Sequence, residues 1–251
     1  MDQRTNEPPT REPDSAGPEP ARKAAALRPR DAATLIVLDR RGRAPKVLMG
    51  RRNPGLVFMP GKFVFPGGRI EGGDRHMPVA GALGARDEAA LEARVTRPPR
   101  HLGRVLALAA IRETYEETGL LLGTREYGPP ERVPEGAWEA FGRHGVMPDL
   151  EALNLVARAI TPPGRPRRFD TRFFAVDRTS VAAEEPGIVG EAAELVELAW
   201  VRLTDARKLD LPFITTLILD ELEEQLKLDF APHRAIPFHT MRHGKRVRTL
   251  L

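Results

Sequence analysis

Read for the spacing of its apolar positions, the chain resolves into short strands and well-separated helices. Segments 33–38 and 46–49 are β-branched or aliphatic runs with a polar, glycine-bearing stretch between them, which predicts a hairpin. A further strand is expected at 62–65, running straight into Pro66, Gly67 and Gly68. Helical composition appears at 86–94 and is broken by Arg97, Pro98, Pro99 and Arg100. The next helix is expected from about 104 to 118. On it Leu108, Ile111 and Tyr115 share one side, and Glu113, Glu116 and Glu117 share the other. Gly119 is placed to end that helix in the left-handed conformation. Beyond it, 129–148 is loop-rich with a short helix at 135–141, and strands are expected at 153–160, 171–176 and 194–201. Ile214, Ile218, Leu222 and Leu226 recur every four residues and mark a packing helix over 213–228. This mixture predicts a layered α/β domain with a mixed sheet.

Composition trims the ends. Residues 1–30 hold six prolines and few large apolar side chains, too little to offset ordering entropy, so a disordered tail is expected there. The segment 231–251 carries His239, Arg242, His243, Lys245, Arg246 and Arg248 without a nearby acid in sequence, and reads as a solvated basic extension. That leaves one domain at 31–230, interrupted at 75–104 by an excursion between the glycine loop and the acidic helix. With 41% hydrophobic and 29% charged residues the chain has the balance of a soluble globular protein. No apolar run approaches the roughly 18 residues of a membrane span, and no leader pattern opens the chain. The chain has no cysteine, which excludes disulfides, thiolate metal sites and thiol nucleophiles, and a cytoplasmic location is expected. A net charge of +4 with 6% aromatics offers no basic stripe with interleaved rings, so no nucleic-acid partner is expected. Arginine supplies 33 of the 39 cations, which mildly favours an anionic small molecule.

Candidate chemistry narrows by elimination. Gly55 and Gly61 are separated by five residues and Lys62 is followed by Phe63, so a Walker-type phosphate loop fails on spacing and on chemistry. Neither a nucleophile elbow nor a dinucleotide fingerprint is present. The carboxylates of Glu113, Glu116 and Glu117 lie within one and a half turns of helix, too close to flank a sugar as glycosidase acids do. Three such groups repel one another unless a cation sits among them, and Mg²⁺ and Mn²⁺ prefer oxygen donors of this kind. An isolated acidic face of this type is more often simply solvated.

What accompanies the helix decides. Pro66–Gly67–Gly68, Asp74 with five residues between it and Gly68, and Arg112–Glu113–Thr114–Tyr115–Glu116–Glu117–Thr118–Gly119–Leu120 together resemble the Nudix box, G-x5-E-x7-R-E-U-x-E-E-x-G-U. There are three departures: Asp74 stands for the first glutamate, Thr114 for an aliphatic residue, and 37 residues separate Asp74 from Arg112 where the box has seven. The resemblance implies a Nudix-type α/β/α sandwich that hydrolyses a nucleoside diphosphate linked to another moiety. It further implies Glu113, Glu116 and Glu117 as ligands of Mg²⁺ or Mn²⁺, Glu116 and Glu117 as catalytic together with a structural Arg112, and Gly67 and Gly68 as the diphosphate cradle. A further base is expected among Glu184, Glu185, Glu191, Glu194 and Glu197. Segments around Phe58, Val64 and 168–174 are similar to the coenzyme A diphosphatase-like subgroup, with Arg167, Arg168 and Arg172 as candidate phosphate contacts, Arg168 foremost. ADP-ribose or a dinucleotide as substrate, and a non-catalytic Nudix-fold regulator, are the alternatives. Oligomeric state stays open, a homodimer being one option.

Overall fold

The computed structural model describes residues 27–251. The elements run β1 (Arg30–Asp39), β2 (Lys46–Arg52), β3 (Phe63–Val64), β4 (Gly67–Arg69), α1 (Ala85–Glu92), α2 (Leu102–Thr118), β5 (Leu120–Leu122), α3 (Trp138–His144) and β6 (Asn154–Ile160). They continue with β7 (Phe169–Asp177), β8 (Val181–Glu184), β9 (Leu195–Arg202), α4 (Leu203–Ala206), α5 (Phe213–Leu226), β10 (Pro237–Arg242) and β11 (Lys245–Leu250). Most of the expected tail lies outside the described residues, and Arg30 already opens β1.

The main sheet has the order β11-β10-β6-β7-β1-β2-β3, with β4 also paired to β1 and β9 to β2. It is mixed: β1 with β7 and β6 with β10 are parallel, while the other pairs are antiparallel. Alternation along the strands feeds two cores. Ala33, Leu35 and Val37 of β1 with Phe174 and Val176 of β7 pack beneath α1, α2 and α3. Ile36 and Leu38 with Phe173 and Ala175 face the other way, against α4 and α5. The result is the expected α/β/α sandwich. No helix among the described residues is long and apolar enough to cross a membrane.

Two regions differ from expectation. The segment 239–248, read as a solvated basic tail, is a hairpin: β10 pairs with β11 and joins the sheet beside β6. Ile236 and Phe238 are buried, and the Arg158 guanidinium lies 4.6 Å from the Phe238 ring. The acid missing from the local sequence is Glu221 of α5, which accepts from Arg248 at 2.7 and 3.0 Å and contacts His239 Nε2 at 2.8 Å. The glycine loop at 67–69 is likewise a strand, β4, and β5 closes a two-stranded sheet with β8.

The excursion at 75–104 is folded onto the molecule. Leu83, Ala90 and Leu91 of this segment join the core beneath α2, and the Asp87 carboxylate caps the Leu155 amide of β6 at 2.7 Å. The Ala93 carbonyl accepts from Arg158 Nη1 at 2.7 Å. Its two ends meet where the Arg104 guanidinium donates to the carbonyls of Arg75 and Met77. This segment therefore packs over the β6 side of the sheet.

Candidate functional site

Helix α2 is anchored by its own sequence. Val105, Leu106, Ala109, Ala110 and Ile111 are buried, and Gly119 ends the helix at φ 78°, its amide bonded to the Tyr115 carbonyl at 2.7 Å. Thr114, where the motif has an aliphatic residue, is fully buried; its hydroxyl returns to the Ala110 carbonyl at 2.7 Å, which satisfies it without leaving the core.

The three glutamates of α2 diverge in environment. Glu117 is 7% exposed, and its Oε2 atom is buried without a hydrogen-bond partner. Glu113 lies against β4, where a Cβ on Gly68 would sit 2.3 Å from its Oε1. Glu116 is the outermost, turned to Arg112 Nη1 at 2.5 Å, the i,i+4 pair expected from the spacing. Gly67 is required for a different reason: a Cβ there would meet the Ala33 carbonyl at 2.5 Å and the Thr34 Cα at 2.7 Å. Both glycines are therefore demanded by close approach to neighbouring atoms.

Arg112 is 3% exposed and fills all five of its donor positions. Nε and Nη2 reach Asp74 at 2.8 and 3.3 Å, Nη2 also reaches the Arg69 carbonyl at 2.7 Å, and Nη1 bridges Glu113 (3.1 Å) and Glu116. Asp74, across the long interruption, thus meets Arg112 in space.

Of the five downstream acids, Glu194 stands apart. It pairs with Arg52 Nη1 at 2.7 Å, and its charge acts directly on Glu117. Glu185 is committed elsewhere, accepting from Tyr115 Oη (2.6 Å) and Arg143 (2.9 Å) and contacting His144 (2.8 Å). Glu197 pairs with Arg51, while Glu184 and Glu191 are exposed. Arg168 donates to the backbone carbonyls of Thr161 and Leu27 and has no ion pair or hydrogen bond with the glutamates. Arg172 is fully buried between Asp31 and Asp170, and Arg167 is exposed. Sequence spacing could not have singled out Glu194, because strand pairing of β2 with β9 is what brings it beside α2.

The electrostatics are those of an anionic site short of positive charge. Burial pushes the Glu113 carboxyl up to about 7, with Arg112 opposing and Glu116 and Glu71 reinforcing. Glu117 is held well above the usual carboxylate range by burial and then by Glu194 and Glu113, against weaker relief from Arg52 and the Gly67 amide. Burial raises Glu116 as well, with Arg112 opposing. No three acidic or histidine side chains among the described residues are arranged around one point. The donor set nonetheless fits a hard divalent cation: Glu117 offers its unpartnered Oε2, and Glu113 and Glu116 each keep one oxygen that Arg112 does not hold.

No family model matches the chain. It is 26% identical over 210 residues to the human acyl-coenzyme A diphosphatase NUDT19, across 64% of this chain and 54% of that protein. It is 30% identical over 178 residues to the Gallus gallus acyl-coenzyme A diphosphatase NUDT19, across 51% and 47%. A putative nudix hydrolase 7 of Caenorhabditis elegans is 26% identical over 192 residues, across 68% and 51%. The chain thus spans about half the length of these curated relatives. The crystal structure of a NUDIX hydrolase from Alicyclobacillus acidocaldarius is 30% identical, superposes with a TM-score of 0.60, and is matched over 78% of this chain and 91% of that one.

Proposed function

The chain belongs to the Nudix hydrolase family, and on that premise we propose that it hydrolyses the pyrophosphate bond of a nucleoside diphosphate linked to a second moiety. Coenzyme A and acyl-coenzyme A are the first substrate class, by likeness to the acyl-coenzyme A diphosphatases it resembles over half their length. The observation that carries the reading is the buried Glu117 carboxylate with its unpartnered Oε2, on the same helix as Glu113 and Glu116 and beside the closely packed strand of Gly67 and Gly68.

In this reading Glu113, Glu116 and Glu117 hold Mg²⁺ or Mn²⁺, which supplies charge neutralisation at the phosphate oxygens and a water of lowered pKa. Arg112 fixes the direction of Glu113 and Glu116. Glu194, beside Glu117 and paired with Arg52, is the acid placed to accept a proton from the attacking water. Arg52, paired with Glu194 and acting on Glu117, is a cation available to an incoming phosphate. Gly67 and Gly68 let β4 pack directly against β1 and the Glu113 carboxylate, which seats that side chain beside α2's other glutamates.

The test is incubation with coenzyme A, acyl-coenzyme A, ADP-ribose, NADH and dinucleoside polyphosphates, with Mg²⁺ and then Mn²⁺, and mass spectrometry of the products. Cleavage at a pyrophosphate bond is expected, with turnover falling about a hundredfold or more in Glu117→Gln, since that variant removes one charged ligand. Undiminished turnover in excess chelator, or in Glu117→Gln, would overturn the reading.

A further inference from the structure

We propose that Trp138, on α3 and outside the motif, is a positioning residue for this reaction: it anchors Asp74, and through Asp74 the guanidinium that aims Glu113 and Glu116. The proposal rests on the metal-dependent reading above.

Asp74 is fully buried and both its oxygens are in use. Oδ2 accepts from the Glu71 amide at 2.7 Å and from Arg112 Nη2 at 3.3 Å. Oδ1 accepts from Arg112 Nε at 2.8 Å and from the Trp138 indole N–H at 3.3 Å. The indole is itself immobile: 1% exposed, 4.9 Å from the Phe141 ring and packed against Gly73, where an added Cβ would lie 3.3 Å from its edge.

The motif expects a glutamate where this chain has an aspartate. A carboxylate on the shorter stem sits closer to its own backbone, so it needs a donor that comes in from outside to fix its rotation about the Cβ–Cγ bond. The Glu71 amide holds one oxygen and Trp138 holds the other; together they set the plane in which Arg112 docks. Because every donor of Arg112 is already spent, its guanidinium has no spare bond with which to correct a rotated Asp74. A tilt at Asp74 therefore passes to Nη1 and on to the two glutamates it contacts. A buried indole N–H needs an acceptor in any fold; here the acceptor it takes is the one that orients the site.

Trp138→Phe keeps a ring in the core and removes the N–H. Replacing Trp138 by its benzothienyl analogue removes the N–H at nearly constant shape, which keeps the test decisive if the phenylalanine variant folds poorly. Phe141→Leu loosens the same aromatic cluster without touching the hydrogen bond. Three readouts are taken on the full chain: Mn²⁺ affinity by calorimetry, kcat and KM on whichever pyrophosphate substrate is cleaved, and hydrogen exchange of the Arg112 Nε–H by NMR. Loss of the N–H is expected to weaken Mn²⁺ binding and lower kcat by about tenfold each, the low end for groups that orient metal ligands. KM is expected to stay within about twofold and Arg112 Nε–H exchange to quicken about tenfold, by the same loss of one orienting bond. Phe141→Leu should leave Mn²⁺ affinity and exchange unchanged at equal or larger loss of Tm. Mn²⁺ affinity and Arg112 exchange at wild-type levels in both N–H-less variants would overturn the proposal, and so would Phe141→Leu reproducing their losses. If the wild-type chain neither binds Mn²⁺ nor cleaves any substrate, the functional reading fails, and the exchange rate of Arg112 still decides whether Trp138 holds it.

Discussion

Gly119 ends α2 and begins the turn into β5, and replacing it with alanine tests how rigidly the carboxylate helix is tied to the rest of the molecule. At φ 78° an L side chain costs about 1–2 kcal/mol. The new Cβ would lie 2.2 Å from the Glu185 carbonyl oxygen and 3.3 Å from its carbon. A backbone oxygen cannot swing aside as a side-chain tip can. Relief requires the 185 segment to move, which stretches the 2.9 Å bond from the Glu185 amide to the Gly119 carbonyl, worth about 1 kcal/mol. The same shift disturbs the Leu120–Glu184 pairing at the start of β5. The lower entropy of an unfolded alanine returns roughly half a kcal/mol. The net expectation is a loss of about 2 kcal/mol, or a fall in Tm of roughly 4–8 °C for a chain of this size. Gly136→Ala is the internal control, because it has φ 85° but no atom within 4 Å of the added Cβ, so it carries only the conformational cost of about 1 kcal/mol. Urea unfolding of both variants beside the wild type separates the terms. If Gly119→Ala is no less stable than Gly136→Ala, the close packing of the α2 terminus on the 185 segment is refuted.

Two further predictions follow from the site and from the C-terminal hairpin. Gly68→Ala places a Cβ against the end of a flexible side chain, so stability should change by about 1 kcal/mol or less while Glu113 is pushed out of place. Mn²⁺ affinity measured by calorimetry should then fall about tenfold or more, and unchanged affinity would remove Glu113 from the ligand set. At Glu221, burial favours the neutral acid, but the bonds from His239 and Arg248 outweigh it and hold the carboxyl at about 2, below its ordinary 4.5. A depressed value of this kind stabilises the fold fully above pH 4.5 and loses that contribution as pH falls toward 2. The contribution is about 3 kcal/mol at neutral pH. Urea midpoints should therefore drop between pH 4.5 and 2 in the wild type and much less in Glu221→Gln; parallel curves would refute the pairing.

Much of the architecture was legible because it depends on local pattern. Leu108, Ile111 and Tyr115 fixed the buried side of α2, Gly119 its end, and the aliphatic run 33–38 the strand that feeds both cores. The C-terminal hairpin was hidden because its stabilising acid lies on another element, 18 residues from His239 and 27 from Arg248. β5 and β8 are too short to show a period and exist by pairing with each other. At the site, motif spacing named Glu113, Glu116 and Glu117 and allowed the Arg112–Glu116 pair, but it could not tell that Glu117 is buried while Glu116 is exposed. Trp138 meets Asp74 across 64 residues, and Glu194 reaches α2 only through the pairing of β9 with β2. Contacts of that kind are set by topology, and no local period carries them.

The excursion between Asp74 and Arg112 also has a meaning for how the chain can be divided. Residues 96–100 are all exposed, and of their backbone groups only the Pro99 carbonyl is tied, to the Leu102 amide next along. A protease cut there exposes no core. The first fragment would carry Gly67, Gly68 and Asp74 and the second Arg112 with all three glutamates of α2, the two rejoined by the Asp74–Arg112 ion pair, by Leu83 and Leu91 beneath α2, and by β1 alongside β7. A motif interrupted in sequence is, mechanically, an interface between two pieces that a single chain happens to connect.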